Sequence, residues 1–419
     1  MTKLLYVCLD GLGDDPNPVL DGQTPLEAAD TPHLDALAAA GRTGTVVTVG
    51  EGIAPESDIG VFAILGYDPS EEHPGRGVIE AIGTDMDFND GDLAYRINFA
   101  TASWPEIIDR RVGRDLSSLE AAELASEVNG GLSLPRATFE LRATVEHRGV
   151  LVIKSSDGPL SSNVTNTDPA YAKQGSLGVA LERFDAKVAH CEPLDDSEEA
   201  ERAATLTNAF VEESYWIMER STINEIRRIE GKLPGNLILT RDAGDRLPNL
   251  QPIRERFGLS WGCFVEMPVE RGIALVLGME SVPAPRVRTD DEYAEWAELA
   301  ADALGDFQAL YVHIKGPDVP AHDGNAELKM KIIADIDRAF FGEVLPRIDL
   351  RDTIVAVCAD HATSCVRAAH TADPVPLLIS GGPVSPDGSR AYGETEASQG
   401  SIGGIRGVDI VPLLVQVME

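Results

Sequence analysis

Long apolar runs are what this chain most plainly lacks. No uncharged stretch reaches the roughly 18 residues that a bilayer-spanning helix needs, which excludes a membrane helix. Lysine is scarce: it supplies only eight of 35 basic residues, set against 69 acidic ones, for a net charge of −34. A field of that sign argues against nucleic acid as a partner, since phosphate backbones are bound by basic surfaces. A phosphorylated small molecule would have to be held by local positive groups working against the global charge. A lysine-poor, acid-rich surface is also the composition of high-salt adaptation, although high coding GC content alone favours arginine over lysine. Cysteine pairs are missing as well. The five cysteines, Cys8, Cys191, Cys263, Cys358 and Cys365, are odd in number and contain no CxxC. Two of them lie in apolar runs where small buried thiols are common, and a reducing cytoplasm is the expected compartment. The opening MTKLLYVCLDGLG has too short an apolar core for a secretory signal and reads as a first strand.

What is present is a scatter of candidate ligands in four short pieces. They are Asp10 in LLYVCLDGLGDDP, Ser57 in APESDIGVFAILGYDP, Asp318 with His322 in HIKGPDVPAHDGN, and Asp360, His361 and His370 in VCADHATSCVRAAHTADP. Three of the four follow runs with the texture of buried parallel strands, Leu4 to Leu9, Ala309 to Ile314 and Thr353 to Ala359. In open parallel sheets the carboxyl ends of strands converge on one crevice, so residues just beyond them meet in space. Aspartate and imidazole there suit Mn2+, Zn2+ or Mg2+.

Each piece alone has a blander explanation. Asp10-Gly11 after a strand is most often a turn, and Ser57 beside Asp58 is ordinarily a loop serine or helix cap. Asp318 and His322 stand at i, i+4, but Pro317 and Pro320 argue against a regular helix between them. The sharpest piece is the last, because two histidines and an aspartate fall within 11 residues of a chain that has only eight histidines.

At 419 residues the chain exceeds one ordinary core, and two domains are expected. Its first 68 residues alternate strand and helix, with Thr31-Pro32 starting a helix that Gly41 stops, a strand from Thr43 to Val49, and a loop from Gly50 to Asp58 that carries Ser57. From about residue 70 short alternating runs, AYRINFATA and RATFELRATVEHRGVLVIKS, predict an antiparallel sheet. An amphipathic stretch from Asp196 to Glu230 follows, and NLILT at 236–240 is expected to rejoin the core. Helices over Asp290 to Leu304 and Ala326 to Leu345 complete a βαβ rhythm. The expected architecture is α/β: a mostly parallel sheet flanked by helices, formed by 1–69 and 235–419, with a smaller α+β lid inserted at 70–234.

On these residues the sequence resembles the archaeal-type cofactor-independent (2,3-bisphosphoglycerate-independent) phosphoglycerate mutases of the alkaline-phosphatase-like metalloenzyme superfamily. The resemblance runs along nearly the whole chain, through DGLGD, GQTPLEAADTPHLDALAAAGRTG, AILGYDP, GRGVIEAIG, YRINFAT, DRRVGR, NTDP, INEIRRIEGKLPGN, RGIALVLGME, KGPDVPAHDGN and DHATSCVRAAHTADPVPLLI. There are departures. Glu56 stands where glycine is commoner, Asp15 where arginine is, TRDAG where RGAG is, and Ala321 where glycine is; Ala359, Ala362 and Ser364 also replace commoner residues. None removes a ligand, but Glu56 puts a further carboxylate beside the serine.

The resemblance implies two divalent ions, Mn2+ or Zn2+ ahead of Mg2+ or Co2+. One would be held by Asp10, Asp360, His361 and the Ser57 oxygen, the other by Asp318, His322 and His370. It implies that Ser57 takes the phosphoryl group of 3-phosphoglycerate and returns it to the other hydroxyl of the retained glycerate. The lid would recognise the carboxylate and hydroxyls through Arg76, Arg96, Arg110, Arg111 and Arg114, with Asp109 binding or deprotonating a hydroxyl; Arg148 and Arg271 are weaker candidates. The partner is then a small phosphorylated three-carbon acid, with neither nucleic acid nor membrane involved, and a homo-oligomer is compatible with this. Two alternatives stay open: a related phosphohydrolase or phosphotransferase with another substrate, and a metal-stabilised scaffold with no catalysis.

Overall fold

The apolar run after Met1 is buried on both faces, and this sets its place at the centre of a sheet. In the computed structural model, which describes residues 2–174, 177–181, 183–285, 287 and 290–419, the strand Lys3–Leu9 lies between Ala309–Ile314 and Thr353–Cys358, parallel to both. All three are buried nearly throughout, as near-continuous runs of Val, Ile and Leu in a parallel sheet should be. Among the described residues the sheet runs Glu280–Ser281, Trp261–Val265, Ala309–Ile314, Lys3–Leu9, Thr353–Cys358, Val375–Gly381, Arg42–Val47, Gly403–Arg406. Only Val375–Gly381 runs against its neighbours. The predicted mostly parallel α/β sheet is therefore present, with the three ligand-bearing strands adjacent and in register (Leu9 opposite Ile314, Cys8 opposite Cys358).

The chain folds as two compact units, one of 1–72 with 250–419 and a second of His73–Asn249. The second is built on an antiparallel sheet in which Leu93–Ser103 pairs with Arg148–Ser155, Glu106–Asp109 and Leu237–Gly244, and Arg148–Ser155 pairs with Ala137–Ala143. Alternation sorts its faces. Leu93, Tyr95, Ile97 and Phe99 pack with the helices Ser118–Gly131 and Glu198–Glu219, whereas Ala94, Val150 and Val152 pack with Val78 and Ala81 of the helix Arg76–Gly83.

The segment containing NLILT differs from expectation. Leu237–Gly244 does not rejoin the parallel sheet but pairs with Leu93–Ser103, Ala100 opposite Leu237. A short buried apolar run carries no mark of which sheet it completes. Proline patterning also misleads at Asp318–His322, which is a one-turn helix with Pro317 as its N-cap. Pro320 falls in the first turn, where backbone N–H groups have no partner within the helix and the ring costs little.

Candidate metal centre and nucleophile

Asp10 follows the central strand directly, and the chain turns sharply at Gly11 (φ +62°), where a Cβ would lie 2.6 Å from Thr363 Oγ1 and 2.8 Å from Asp318 Oδ1. Only glycine lets the three loops approach this closely. The serine arrives on a helix. Ser57 opens the helix Ser57–Ile64, with Glu56 as N-cap, so the expected loop ends one residue earlier than Ser57. At Gly60 a Cβ would stand 2.3 Å from the carbonyl oxygen of Asp360, so glycine lets this helix press against the third ligand loop. His370 comes from a hairpin in which Ala369–Thr371 pairs with Ala362–Ser364, placing it opposite Thr363.

All seven predicted residues converge. Ser57 Oγ is 3.1 Å from His361 Nε2, which lies 3.6 Å from Asp10 Oδ1 and 3.3 Å from Asp360 Oδ2. His322 Nε2 is 3.4 Å from Asp318 Oδ1 and 3.1 Å from His370 Nε2, and His370 stacks on His361 with ring centroids 3.8 Å apart. Ligand atoms of Asp10, Asp360 and His361 lie within 4.8 Å of one another, as do those of Asp318, His361 and His370.

Hydrogen bonds fix which imidazole nitrogens face inward. His370 Nδ1 is 2.8 Å from the carbonyl of Pro55, which can only accept, so Nδ1 carries the proton and Nε2 points at Asp318. Thr363 donates to Asp318 Oδ1 at 2.9 Å and therefore accepts from His361 Nδ1 at 3.0 Å, which leaves the Nε2 lone pair facing Ser57 and Asp10.

The electrostatics fit a cation. Burial and the charge of His370 push His361 down to about 3, so its imidazole is neutral. Burial and the Asp10 carboxylate push Asp360 up to about 8, and Asp360 Oδ2 and Asp10 Oδ1 are buried without hydrogen-bond partners. Burial disfavours the His370 cation, but Asp318 and Glu56 outweigh it and raise the ring to about 9. A divalent ion would satisfy both orphaned oxygens and replace the proton on His370 Nε2. The donor set suits such ions, and the geometry gathers groups that could hold one.

Several residues of this site escape a motif-level reading. His313 Nε2 donates to Asp10 Oδ2 at 2.9 Å and Lys315 contacts the same oxygen; burial raises the Asp10 carboxyl, but these two groups hold it well below the usual range. Lys329, fully buried, donates to the carbonyls of Gly11 (2.8 Å), Gly13 (3.2 Å) and Thr363 (2.8 Å) and to Asp14 Oδ2 (2.9 Å). Their signals in the sequence are faint: a His and a Lys flanking Ile314 at a strand end, and a lysine in the register of a buried helix face.

In the second unit the predicted arginines divide. Arg76 Nε pairs with Glu80 Oε1 at 2.8 Å and Arg96 Nε lies 3.6 Å from it; burial and the charges of Arg241 and Arg76 bring Arg96 down to about 9. Arg148 is held down by burial and by Arg76. His147 is pushed to about 3 by burial and by Arg148, Arg111, Arg96 and Arg114. Arg76, Arg96 and Arg148 thus share a strongly positive cluster, joined by Arg241, which the run TRDAG does not single out. Arg110 is engaged elsewhere, in a two-pronged pair with Asp168 at 2.8 and 2.6 Å. Asp109 Oδ1 builds the turn, accepting from Arg111 N at 2.7 Å and Gly113 N at 3.0 Å; Arg114 is exposed.

A serine among carboxylates and imidazoles, beyond the strand ends of a mainly parallel sheet, is an arrangement suited to metal-assisted group transfer. A family model described as 2,3-bisphosphoglycerate-independent phosphoglycerate mutase matches residues 38–224. A relative of that name from Aeropyrum pernix is 40% identical, with 99% of each chain covered, and one from Methanopyrus kandleri is 36% identical over 98% of this chain and 95% of its own. The PH0037 protein of Pyrococcus horikoshii superimposes with a TM-score of 0.81 at 30% identity, covering 100% of this chain and 97% of that one. The cofactor-independent phosphoglycerate mutase of Thermoplasma acidophilum gives 0.65 at 31% identity, with 100% of both chains covered. The chain belongs to the 2,3-bisphosphoglycerate-independent phosphoglycerate mutase family. Among the described residues no helix is long and apolar enough to cross a membrane.

Proposed function

We propose that the protein interconverts 3-phosphoglycerate and 2-phosphoglycerate through a phosphoserine at Ser57. The observation that carries this is the placement of Ser57 Oγ, 3.1 Å from His361 Nε2, among the three aspartates and three histidines. Two bound divalent ions, one on Asp10, Asp360, His361 and Ser57 and one on Asp318, His322 and His370, would neutralise phosphoryl oxygens and lower the pKa of the serine hydroxyl. Mn2+ or Zn2+ suits the mixed carboxylate and imidazole donors best.

The chain's own groups do the rest. Ser57 Oγ attacks phosphorus, the bond from phosphorus to the substrate oxygen breaks, and that oxygen takes up the proton the serine gives up. The other hydroxyl of the glycerate then attacks phosphoserine, and the serine recovers a proton. The first-turn amides of the helix that Ser57 opens have no side-chain cap and favour the anionic phosphoryl group. To Arg76, Arg96, Arg148 and Arg241 we assign recognition of the substrate carboxylate. Arg110 and Arg114 remain assigned to the same substrate, Arg110 through the stance that Asp168 gives it, and Asp109 to its hydroxyls.

Incubating the protein with Mn2+ and 3-phosphoglycerate, and following 2-phosphoglycerate and free phosphate together, tests this. Formation of 2-phosphoglycerate in excess of phosphate is expected. Phosphate alone would make the protein a hydrolase. In Ser57→Ala, turnover should fall on the order of a thousandfold or more with the fold intact, and mass spectrometry of the trapped wild-type enzyme should place the phosphate on Ser57.

A further inference from the structure

Glu270, in the first turn of the helix Pro268–Val276, is a buried carboxylate with an unusual deficit. It is 1% exposed, and neither of its oxygens accepts a hydrogen bond from another protein group. Its cationic neighbours are His313 Nε2 and Lys315 Nζ, each 3.9 Å from Oε1. Those same two atoms contact Asp10 Oδ2, His313 at 2.9 Å. Two buried carboxylates therefore share one pair of positive groups, and Asp10 holds both at hydrogen-bonding distance while Glu270 holds neither. A buried carboxylate in that position is costly, and an arrangement that gives it a protein donor lowers that cost.

Binding of a divalent ion to Asp10 supplies one. A cation there would repel Lys315 and His313, and a displacement of about 1 Å would bring either from 3.9 Å into hydrogen-bonding range of Glu270. We propose that Glu270 is a positioning residue that takes Lys315 and His313 over from Asp10 when a divalent cation binds there. This rests on the assignment of Asp10 as a metal ligand. Ligand atoms of Asp10, Glu270 and His313 also lie within 4.8 Å of one another, as a third metal site would require. The Lys315 ammonium, which stands among them, favours the exchange of partners instead.

A double-mutant cycle read by calorimetric titration of Mn2+ into chelator-treated protein decides the matter. Wild type should bind two equivalents. Glu270→Gln should weaken one of them about tenfold or more, the usual scale for a residue that supports a ligand from behind, because Lys315 then has no second seat and competes for Asp10. Lys315→Met should strengthen that site, and in its background the effect of Glu270→Gln should largely vanish. An equal loss in both backgrounds would show that Glu270 acts only through its charge and would overturn the exchange. Three equivalents in wild type would overturn it too, by making Glu270 a ligand. Asp10→Asn with unchanged stoichiometry would remove the ligand assignment itself, and the proposal with it. Melting of the chelated protein gives a separate check: Glu270→Gln should melt no lower than wild type, whereas a merely structural carboxylate would lower it. If Lys315→Met does not fold, the 15N shifts of His313 on Zn2+ addition replace it: a change in wild type but not in Glu270→Gln is expected, and the same change in both would overturn the proposal.

Discussion

At the scale of single residues, the side chains that the fold gathers around Ser57 were legible and those packed behind them were not. Asp10, Ser57, Asp318, His322, Asp360, His361 and His370 stand out only together, because each piece has a blander use alone and three of the four follow buried strands whose ends converge. If they serve two ions as proposed, His361→Ala and His322→Ala should each take bound metal from two equivalents towards one, measured by elemental analysis after dialysis, since the remaining carboxylates bind weakly alone. Unchanged stoichiometry in both would contradict the two-site assignment. Glu270, His313 and Lys329 look from sequence like ordinary members of amphipathic runs, because a buried charge is revealed only by the partners that three-dimensional packing brings to it. Glu394 belongs with these. Burial raises its carboxyl from 4.5 to about 7, although Thr24 Oγ1 donates to it at 2.7 Å. A raised folded-state value means that its contribution to stability is fully present below about 4.5 and is lost as pH rises through about 7. Glu394→Gln should therefore raise the melting temperature relative to wild type at pH 8 more than at pH 4.5. An equal shift at both pH values would show that Glu394 does not titrate in this window.

At the scale of elements, the parallel strands were legible because burial on both faces leaves a continuous apolar run. Their neighbours were harder to place. Residues 237–244 share that apolar texture yet complete the antiparallel sheet, since register is set by Leu93–Ser103, over a hundred residues away in sequence. Asp318–His322 forms its turn of helix because a proline in the first turn gives up nothing. What locks these elements together is Lys329, which ties the helix Ala326–Ile336 to the loops after Asp10 and His361. Its ammonium and Asp14 are each 0% exposed at the side chain. Lys329→Met leaves Asp14 and three carbonyls without their donor, and the expected loss is about 3–5 kcal/mol. Adding Asp14→Asn should recover part of it by removing the stranded charge. Denaturant titration of the single and double variants measures both, and a loss under about 1 kcal/mol, on the scale of an exposed pair, would mean the clamp contributes little.

At the scale of the whole molecule the governing quantity is a net charge of −34. Two of the eight lysines, Lys315 and Lys329, are spent inside the site rather than on the surface, Lys329 fully buried and Lys315 at 22% side-chain exposure. Burial also takes acidic side chains off the surface, Asp10, Asp14, Glu270, Asp318 and Asp360 among them, yet the outer surface stays strongly negative, and like charges at that density repel through the folded state. Screening sets how far: the Debye length is about 30 Å at 0.01 M salt, about 10 Å at 0.1 M and about 3 Å at 1 M. Added KCl should therefore stabilise the protein, with the steepest rise in melting temperature below about 0.2 M, where the screening length falls through the spacing of surface charges. General salting-out has a different signature, a gain that continues in proportion to concentration into the molar range. Scanning fluorimetry from about 0.01 to 2 M KCl, a range that spans those screening lengths, separates the two. A curve that is steep and then flattens assigns the effect to self-repulsion, a straight one to exclusion of salt from apolar surface. No dependence at all would mean that the acidic residues lie far enough apart, or are paired well enough with arginine, that the net charge costs the fold nothing.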